Sequence, residues 1–499
     1  MKKHLPYLVT LLMAAALAAF EGDFLYTAQN QSLFLHTPLF FRQHMVRSGG
    51  MLAWAASYLT QFFCYPLLGA TLLALLWCLL LWLLVKTFRL RHPSLALVPV
   101  ACLLLTVTTL GYWVFYLKLH GPLFSATLGT LMAVFTAWIY SHLPRRYFLQ
   151  TAFIPLAGCV AYPLFGFYGL WGVLLTALVA WTQGGSQRLV NGLAAFATIG
   201  AVPLIGYYTL YHQTNIINVY WTALPLFSYT HQRFPAYYIP YIILVVSISL
   251  MAFPLPSKPW LRYSLLAMTA VAVVLFWQKD ANFHRELSMR RSIEKQDWDA
   301  VLATAKDFKG QPTRAVCLMR NLALQRKGWL GKQVLQYPDG ARRPDAPFST
   351  RLVHTYGKML YLELGLPNYC YRWSMEDGVE YGWTVERLKL MTLCSLLSGE
   401  FTAAQRFLNL LKKTDFHPSW ARHYEQCLHK HALIAADGRL KPILPLLRSD
   451  NFLTADQSQE EMFLIEHLLS TPGTTLEQQE LANFTMFYYR HNRRNYVEK

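Results

Sequence analysis

Long apolar runs dominate the first 279 positions, and they lie near residues 5–20, 64–85, 95–116, 122–141, 149–163, 165–183, 189–210, 237–254 and 260–277. A helix of about 20 mostly apolar residues is long enough to cross a bilayer, so the pattern predicts about nine spans. The runs 149–163 and 165–183 are short and meet around Tyr162, Pro163 and Gly166, which leaves a re-entrant or broken helix as the alternative there. From about Asp280 the pattern changes to one-sided apolar spacing, with amphipathic helices expected near 314–327, 350–364, 385–398, 402–413, 419–434 and 459–470. The expected fold class is therefore all-α. A polytopic helical membrane domain (residues 1–279) precedes a soluble, tetratricopeptide-like helical domain (residues 280–499).

The second of these domains carries one local signature. In the run from Leu393 to Leu408, Gly399 permits a close turn, Phe401 fills the space between two helices and Ala404 allows them to approach, with Pro418 near where the unit would end. This resembles the tetratricopeptide repeat, and a weaker echo spans Gln296–Val301. Such hairpins bury their apolar faces only by stacking, which implies a packing or docking module with a protein partner. No nucleophile–base or metal-ligand spacing appears in 280–499. Tyr371–Trp383, rich in aromatics and acids, reads either as a groove for a sugar or peptide or as a surface turn.

Charge sharpens the picture. Residues 1–279 hold 15 Lys or Arg against two acids, Glu21 and Asp23, whereas residues 280–499 hold 30 against 25. The basic excess sits in loops flanking the apolar runs, where Lys and Arg set orientation. With nine spans, Lys2, Lys3, Lys86, Arg89, Arg91, Arg145, Arg146, Arg188, Lys258 and Arg262 share one side, the cytoplasm by the positive-inside rule. The Glu21–Phe63 loop, the Lys118–Gly121 turn, the Tyr211–Ala236 loop and everything after Lys279 then lie outside. That places the chain in a plasma membrane, N-terminus inside and C-terminal domain outside. The N-terminus also fits a cleavable signal peptide ending near Ala16-Leu17-Ala18; an uncleaved anchor is preferred because the apolar run continues to Phe20. No basic cluster coincides with a nucleic-acid motif, so a nucleic-acid partner is not expected. Cys64, Cys78, Cys102 and Cys159 fit apolar packing, while Cys317, Cys370, Cys394 and Cys427 leave pairing open.

A carboxylate beside a membrane is expensive, and one retained there is a candidate for function. Glu21 and Asp23 open the first outer loop. The loop continues through Phe40-Phe41-Arg42-Gln43-His44-Met45-Val46-Arg47, a break at Ser48-Gly49-Gly50, and a largely apolar helix from Met51 to Phe63. Arg and His at an interface suit phosphate contacts. The second long loop adds His212, Asn215, Asn218, Trp221, His231 and Arg233. At the level of topology this resembles the GT-C type of polyprenyl-phosphate-dependent glycosyltransferases, whose first outer loop begins with essential carboxylates and runs on through interfacial helices. The resemblance implies Glu21 and Asp23 as general base or metal holders, with Arg42, His44, Arg47, His231 and Arg233 binding a lipid-linked phosphate or pyrophosphate. A site with two protein carboxylates would suit Mg²⁺ better than Zn²⁺. The sequence departs from that family in having no adjacent acids and no second acidic motif in a later outer loop. Pro38–Leu73 and the helical C-terminus also resemble an uncharacterised family of bacterial multi-pass membrane proteins.

Backbone geometry constrains the carboxylate reading. Residues two apart share a face in an extended segment and point apart in a helix. An extended Glu21–Asp23 is therefore required to aim both groups into one site; otherwise the acids only mark the solvated flank of a span. Three expectations stand together. They are a GT-C-like transferase of bacterial envelope-glycan assembly, a non-enzymatic membrane-anchored scaffold presenting its repeat domain, and a transporter.

Overall fold

The computed structural model describes residues 4–447, apart from 145, 184–186, 230–231, 255–257, 307–310, 334–335 and 339–354. Among the described residues the regular secondary structure is helical, save a two-residue antiparallel pair that sets Ser228 opposite Arg233 and Tyr229 opposite Gln232. It divides into two compact units. The first comprises residues 1–25, 36–110 and 119–278; the second comprises 26–35, 111–118 and 279–499. Two segments expected to belong to the membrane half, 26–35 and 111–118, are thus members of the other unit.

Four helices of the first unit are long and apolar enough to cross a membrane: Pro66–Thr87, Phe148–Phe165, Arg188–Thr209 and Pro259–Phe276. A fifth results if Leu5–Phe20 and Gly22–Asn30, bent by 76° at Glu21, are counted as one. The expected nine spans are therefore corrected to four or five. Pro93–Thr108, Phe167–Gln183 and Pro235–Leu250 are apolar but short. At about 1.5 Å per residue, 16 or 17 residues rise roughly 25 Å, below the hydrocarbon thickness of about 30 Å. Ser125–His142 has the length, but Ser125, Thr127, Thr130, Thr136, Ser141 and His142 dilute its apolar character. The orientation deduced from an odd number of spans loses that basis.

Helices of this unit meet through small residues, as membrane helices do. A methyl group on Gly169 would lie 2.4 Å from the Ala161 carbonyl, and one on Gly129 would strike the ring of Tyr168. Helices Tyr147–Phe165 and Phe167–Gln183 accordingly pack against each other across Gly166. Pro259–Phe276, by contrast, has no buried residue and is apolar all round, the composition of a helix solvated by lipid.

In the second unit, consecutive helices pack pairwise: Ala281–Glu294 with Trp298–Lys306 and Arg314–Arg326, then Gly357–Glu363, Pro367–Tyr381, Val385–Leu397, Phe401–Leu411 and Pro418–His429 in succession. Polar caps start several of them. Asp280 accepts from the backbone N–H of Asn282 and Phe283, Thr313 from Val316 and Thr384 from Arg387, each satisfying donors that a helix start leaves unbonded. The segment 111–118 supplies Tyr112, Phe115 and Tyr116, whose rings surround Phe283. Around Gly399 the expected hairpin forms, with Ala404, Leu408 and Leu411 buried. Phe401 stacks on His431 with ring centroids 4.0 Å apart. Tyr371–Trp383 is not a turn: Pro367–Tyr381 is a helix that buries Trp373 and Asp377 and exposes Glu376 and Glu380. The expected helix at 459–470 lies outside the described residues. Among the described residues, Cys78, Cys102, Cys159, Cys370, Cys394 and Cys427 are thiols outside any disulfide.

Candidate functional site

The first unit contains a cavity of about 1200 Å³ built where three pieces of chain are pinned together. The break after Arg47 is one of them. Gly49 sits at φ 79° and its N–H donates to the Pro163 carbonyl at 2.9 Å, while Ser48 Oγ donates to Thr222 Oγ1 at 2.8 Å. The second is the junction at Gly166, whose φ of 58° and ψ of −129° suit only glycine; the next N–H, of Phe167, donates to the Thr222 carbonyl at 2.9 Å. The third is the loop 211–226 itself, held by Tyr162 Oη donating to the Val219 carbonyl at 2.8 Å. The fit is close. A methyl on Gly49 would come within 2.6 Å of Ala223 Cβ, and one on Gly166 within 2.5 Å of the Thr222 carbonyl oxygen.

The cavity wall has two chemical characters. Arg47, Gln43, Gln213, Thr214, Asn215 and Asn218 contribute polar groups. Phe167, Trp221, Tyr238, Tyr241, Ile242 and Val246 contribute the apolar part. Ile242 and Val246 are 59% and 49% exposed on the short apolar helix Ile239–Leu250, so the apolar wall is continuous with the unit's outer apolar surface. Among the described residues, Arg47 is the cation of the lining, and no carboxylate lines the cavity.

The residues singled out in the sequence are distributed otherwise than expected. Glu21 ends helix Leu5–Phe20 and is 4% exposed; its Oε1 accepts a hydrogen bond of 2.6 Å from Trp277 Nε1. Asp23 falls in the first turn of helix Gly22–Asn30, where a negative charge is favoured by the helix dipole. The segment is helical at Asp23 rather than extended, so the shared face that two convergent carboxylates required is not formed. Nor do the described residues gather three or more His, Cys, Asp or Glu in a group fit for a metal ion. With Glu21 engaged by an indole, the pair does not fit the divalent cation that the GT-C resemblance implied.

Of the basic set, Arg47 lines the cavity. Arg42 and Arg233 are exposed and do not line it. His44 turns back on its own helix, its Nδ1–H donating to the Phe40 carbonyl at 2.9 Å. Burial, assisted by the Arg47 charge, holds its basicity below the usual histidine value, so at neutral pH it is a poor anion ligand. His231 lies outside the described residues. Asn215, Asn218 and Trp221 of the second loop do line the cavity, whereas Gln43, Phe167, Gln213, Tyr238 and Tyr241 were not anticipated. Only the coincidence of loop amides with aromatics hinted at them.

The profile of one protein family, described as "Family of unknown function (DUF6057)", matches residues 1–479. The chain belongs to this family. No curated protein and no solved structure matches it. Membership extends over both units of the DUF6057 chain, cavity included.

Proposed function

We propose that this protein is an integral membrane protein of the bacterial envelope that binds a long-chain amphiphile with an anionic head in the cavity of its first unit. The supporting observation is the two-sided lining: one guanidinium with amides and hydroxyls at one part, and an aromatic and aliphatic wall continuous with the outer apolar surface at the other. A guanidinium forms forked, charge-assisted hydrogen bonds to phosphate. Carboxylates, which would repel such a head, are confined in the first 279 residues to Glu21 and Asp23, neither of which lines the cavity. A polyprenyl-phosphate-linked sugar belongs to this ligand class. Sugar transfer with Glu21 or Asp23 as base draws no support from the cavity, which among the described residues offers no carboxylate to a bound lipid.

The test is binding of a polyprenyl phosphate and of its uncharged alcohol to the full chain in nanodiscs, read by native mass spectrometry. The phosphate should bind and the alcohol should not compete. Arg47→Gln should weaken phosphate binding roughly tenfold, the worth of about 1.4 kcal/mol for one lost charge-assisted contact. Equal binding of phosphate and alcohol, or no effect of Arg47→Gln, would overturn the proposal. A second reading rests on the hairpin around Gly399: a tetratricopeptide-like docking surface for an envelope protein, outside the cytoplasm. Capture of one specific partner by the full chain, lost on Gly399→Val, would favour it.

A further inference from the structure

The second unit holds a cluster of cations that the proposed lipid site does not use. Lys118 ends the segment 111–118 with φ 56°, a conformation in which most side chains are strained. Its Nζ donates to the Gly382 carbonyl at 3.3 Å, and Arg387 Nη1 donates to that same oxygen. Gly382 immediately follows helix Pro367–Tyr381, where carbonyls lack partners within the helix. Asp377, one turn earlier, is taken by Lys358 Nζ at 2.5 Å and approached by Arg387 Nη2 at 3.6 Å. Three cationic side chains therefore gather about one carboxylate, and Lys118 is the one left without it: among the described residues its bonded partner is the neutral carbonyl of Gly382.

Lys118 is half-buried, and Gly382, at φ 83°, presents no side chain to it; a methyl there would stand 3.5 Å from Nζ. We infer that Lys118 is a nucleophilic amine site in the second unit, one that condenses with a small electrophilic carbonyl compound such as an aldehyde. Burial and the Arg387 charge, only partly offset by Asp377, bring its basicity down to about 7. Near neutral pH much of it is free base, against roughly one in a few thousand for a solvated lysine. A desolvated lysine beside another cation is a known route to amine nucleophilicity.

The condensation needs no oxidant. The nitrogen lone pair attacks the carbonyl carbon, forming a C–N bond while the C=O π pair moves to oxygen. The two amine protons pass to that oxygen, which leaves as water as the C=N bond forms.

The experiment treats the full-length protein in detergent with a limiting amount of isotope-labelled formaldehyde and cyanoborohydride, which reduces the imine to a stable methylamine. Labelling is read lysine by lysine from peptide masses. At about pH 7 Lys118 should react at least roughly tenfold faster than the exposed Lys295, Lys413 and Lys441. Its rate should level off above about pH 8 while theirs continue to climb. Labelling of Lys118 no faster than these three at about pH 7, or a rate climbing in parallel with theirs, would overturn the assignment. Because the measurement uses the unaltered chain, a variant that fails to fold cannot obscure it.

Discussion

Apart from Glu21, the buried polar groups of the first unit are mostly neutral side chains, several of them bonded to their own helices, whereas the second unit buries charges against one another. In the first, Thr10, Thr60, Thr176 and Thr198 donate to carbonyls four residues back, at 3.0, 2.7, 2.8 and 2.6 Å. Between helices the links are again neutral: Trp77 to Thr127, Thr151 to Asn191, and Asn191 to Tyr140. In the second, Arg326 meets Glu363 at 3.1 Å, Lys358 meets Asp377 at 2.5 Å and Lys389 meets Glu294 at 3.3 Å, and Arg290 pairs with Glu386. The difference follows from the surroundings each sequence is composed for. A hydroxyl that back-bonds along its own helix carries no charge into an apolar medium. An ion pair is tolerated when a water-soluble core closes round it, though it adds little net stability and costs dearly if half of it is removed.

Acid should separate the two units most sharply. His417 is buried, bonded through Nε2 to the Gln29 amide, and burial with the nearby Lys389 charge lowers its basicity to about 3. The unfolded chain therefore takes a proton that the folded one refuses, and stability falls as pH drops from 6.5 towards 3. Burial alone would raise the Glu294 carboxyl, but the charges of Lys389, Arg439 and Arg290 outweigh it and bring the group down to about 2. Its contribution, complete above 4.5, is lost as pH falls towards 2. Hydrogen exchange should show the second unit opening below about pH 4 while Phe167–Gln183 in the first stays protected; simultaneous opening would erase the contrast.

Next in size is the loss of half an ion pair. Glu363→Gln leaves Arg326 and Arg439 facing an amide and should destabilise the second unit by about 3–5 kcal/mol, seen as an earlier denaturant midpoint for exchange in Arg314–Arg326. The matching insult to the first unit is steric. Gly169→Leu drives a side chain into the Ala161 backbone and should cost about 1–3 kcal/mol, measured as a lower melting temperature in micelles. The smallest effect is expected at Glu21. Glu21→Gln keeps an oxygen for the Trp277 indole and should change stability by no more than about 1 kcal/mol, with a shift in Trp277 emission; a larger loss would make the Glu21 charge itself structurally important.

These contrasts explain what was legible beforehand. Helical class, the change in composition near Asp280 and the hairpin at Gly399 are local properties, written in periodicity and turn chemistry. Span count was overestimated because apolar runs such as 95–116 extend beyond the helix they form: Leu97–Thr108 ends short of Tyr116, and Tyr112–Tyr116 belongs to the second unit, where its rings meet Phe283. Arg47, Asn215, Asn218 and Trp221 were marked as chemically suited to an interface, yet nothing in their spacing announced that Gly49, Gly166 and Thr222 would lock two loops and a helix junction around one cavity. Lys118 was read only as part of an outer turn, because a lysine in a short turn looks solvated until a distant helix end closes over it.

The isolation of Glu21 and Asp23 among 279 residues, the basic flanks and the apolar helices were thus determined by sequence alone, since composition and local period are sufficient to specify them. Which polar groups converge was decided only by the tertiary structure. Glu21 went to an indole 256 positions away, and Lys118 to a carbonyl 264 positions away. Partners so far apart in the chain are chosen by packing, and no local pattern encodes them.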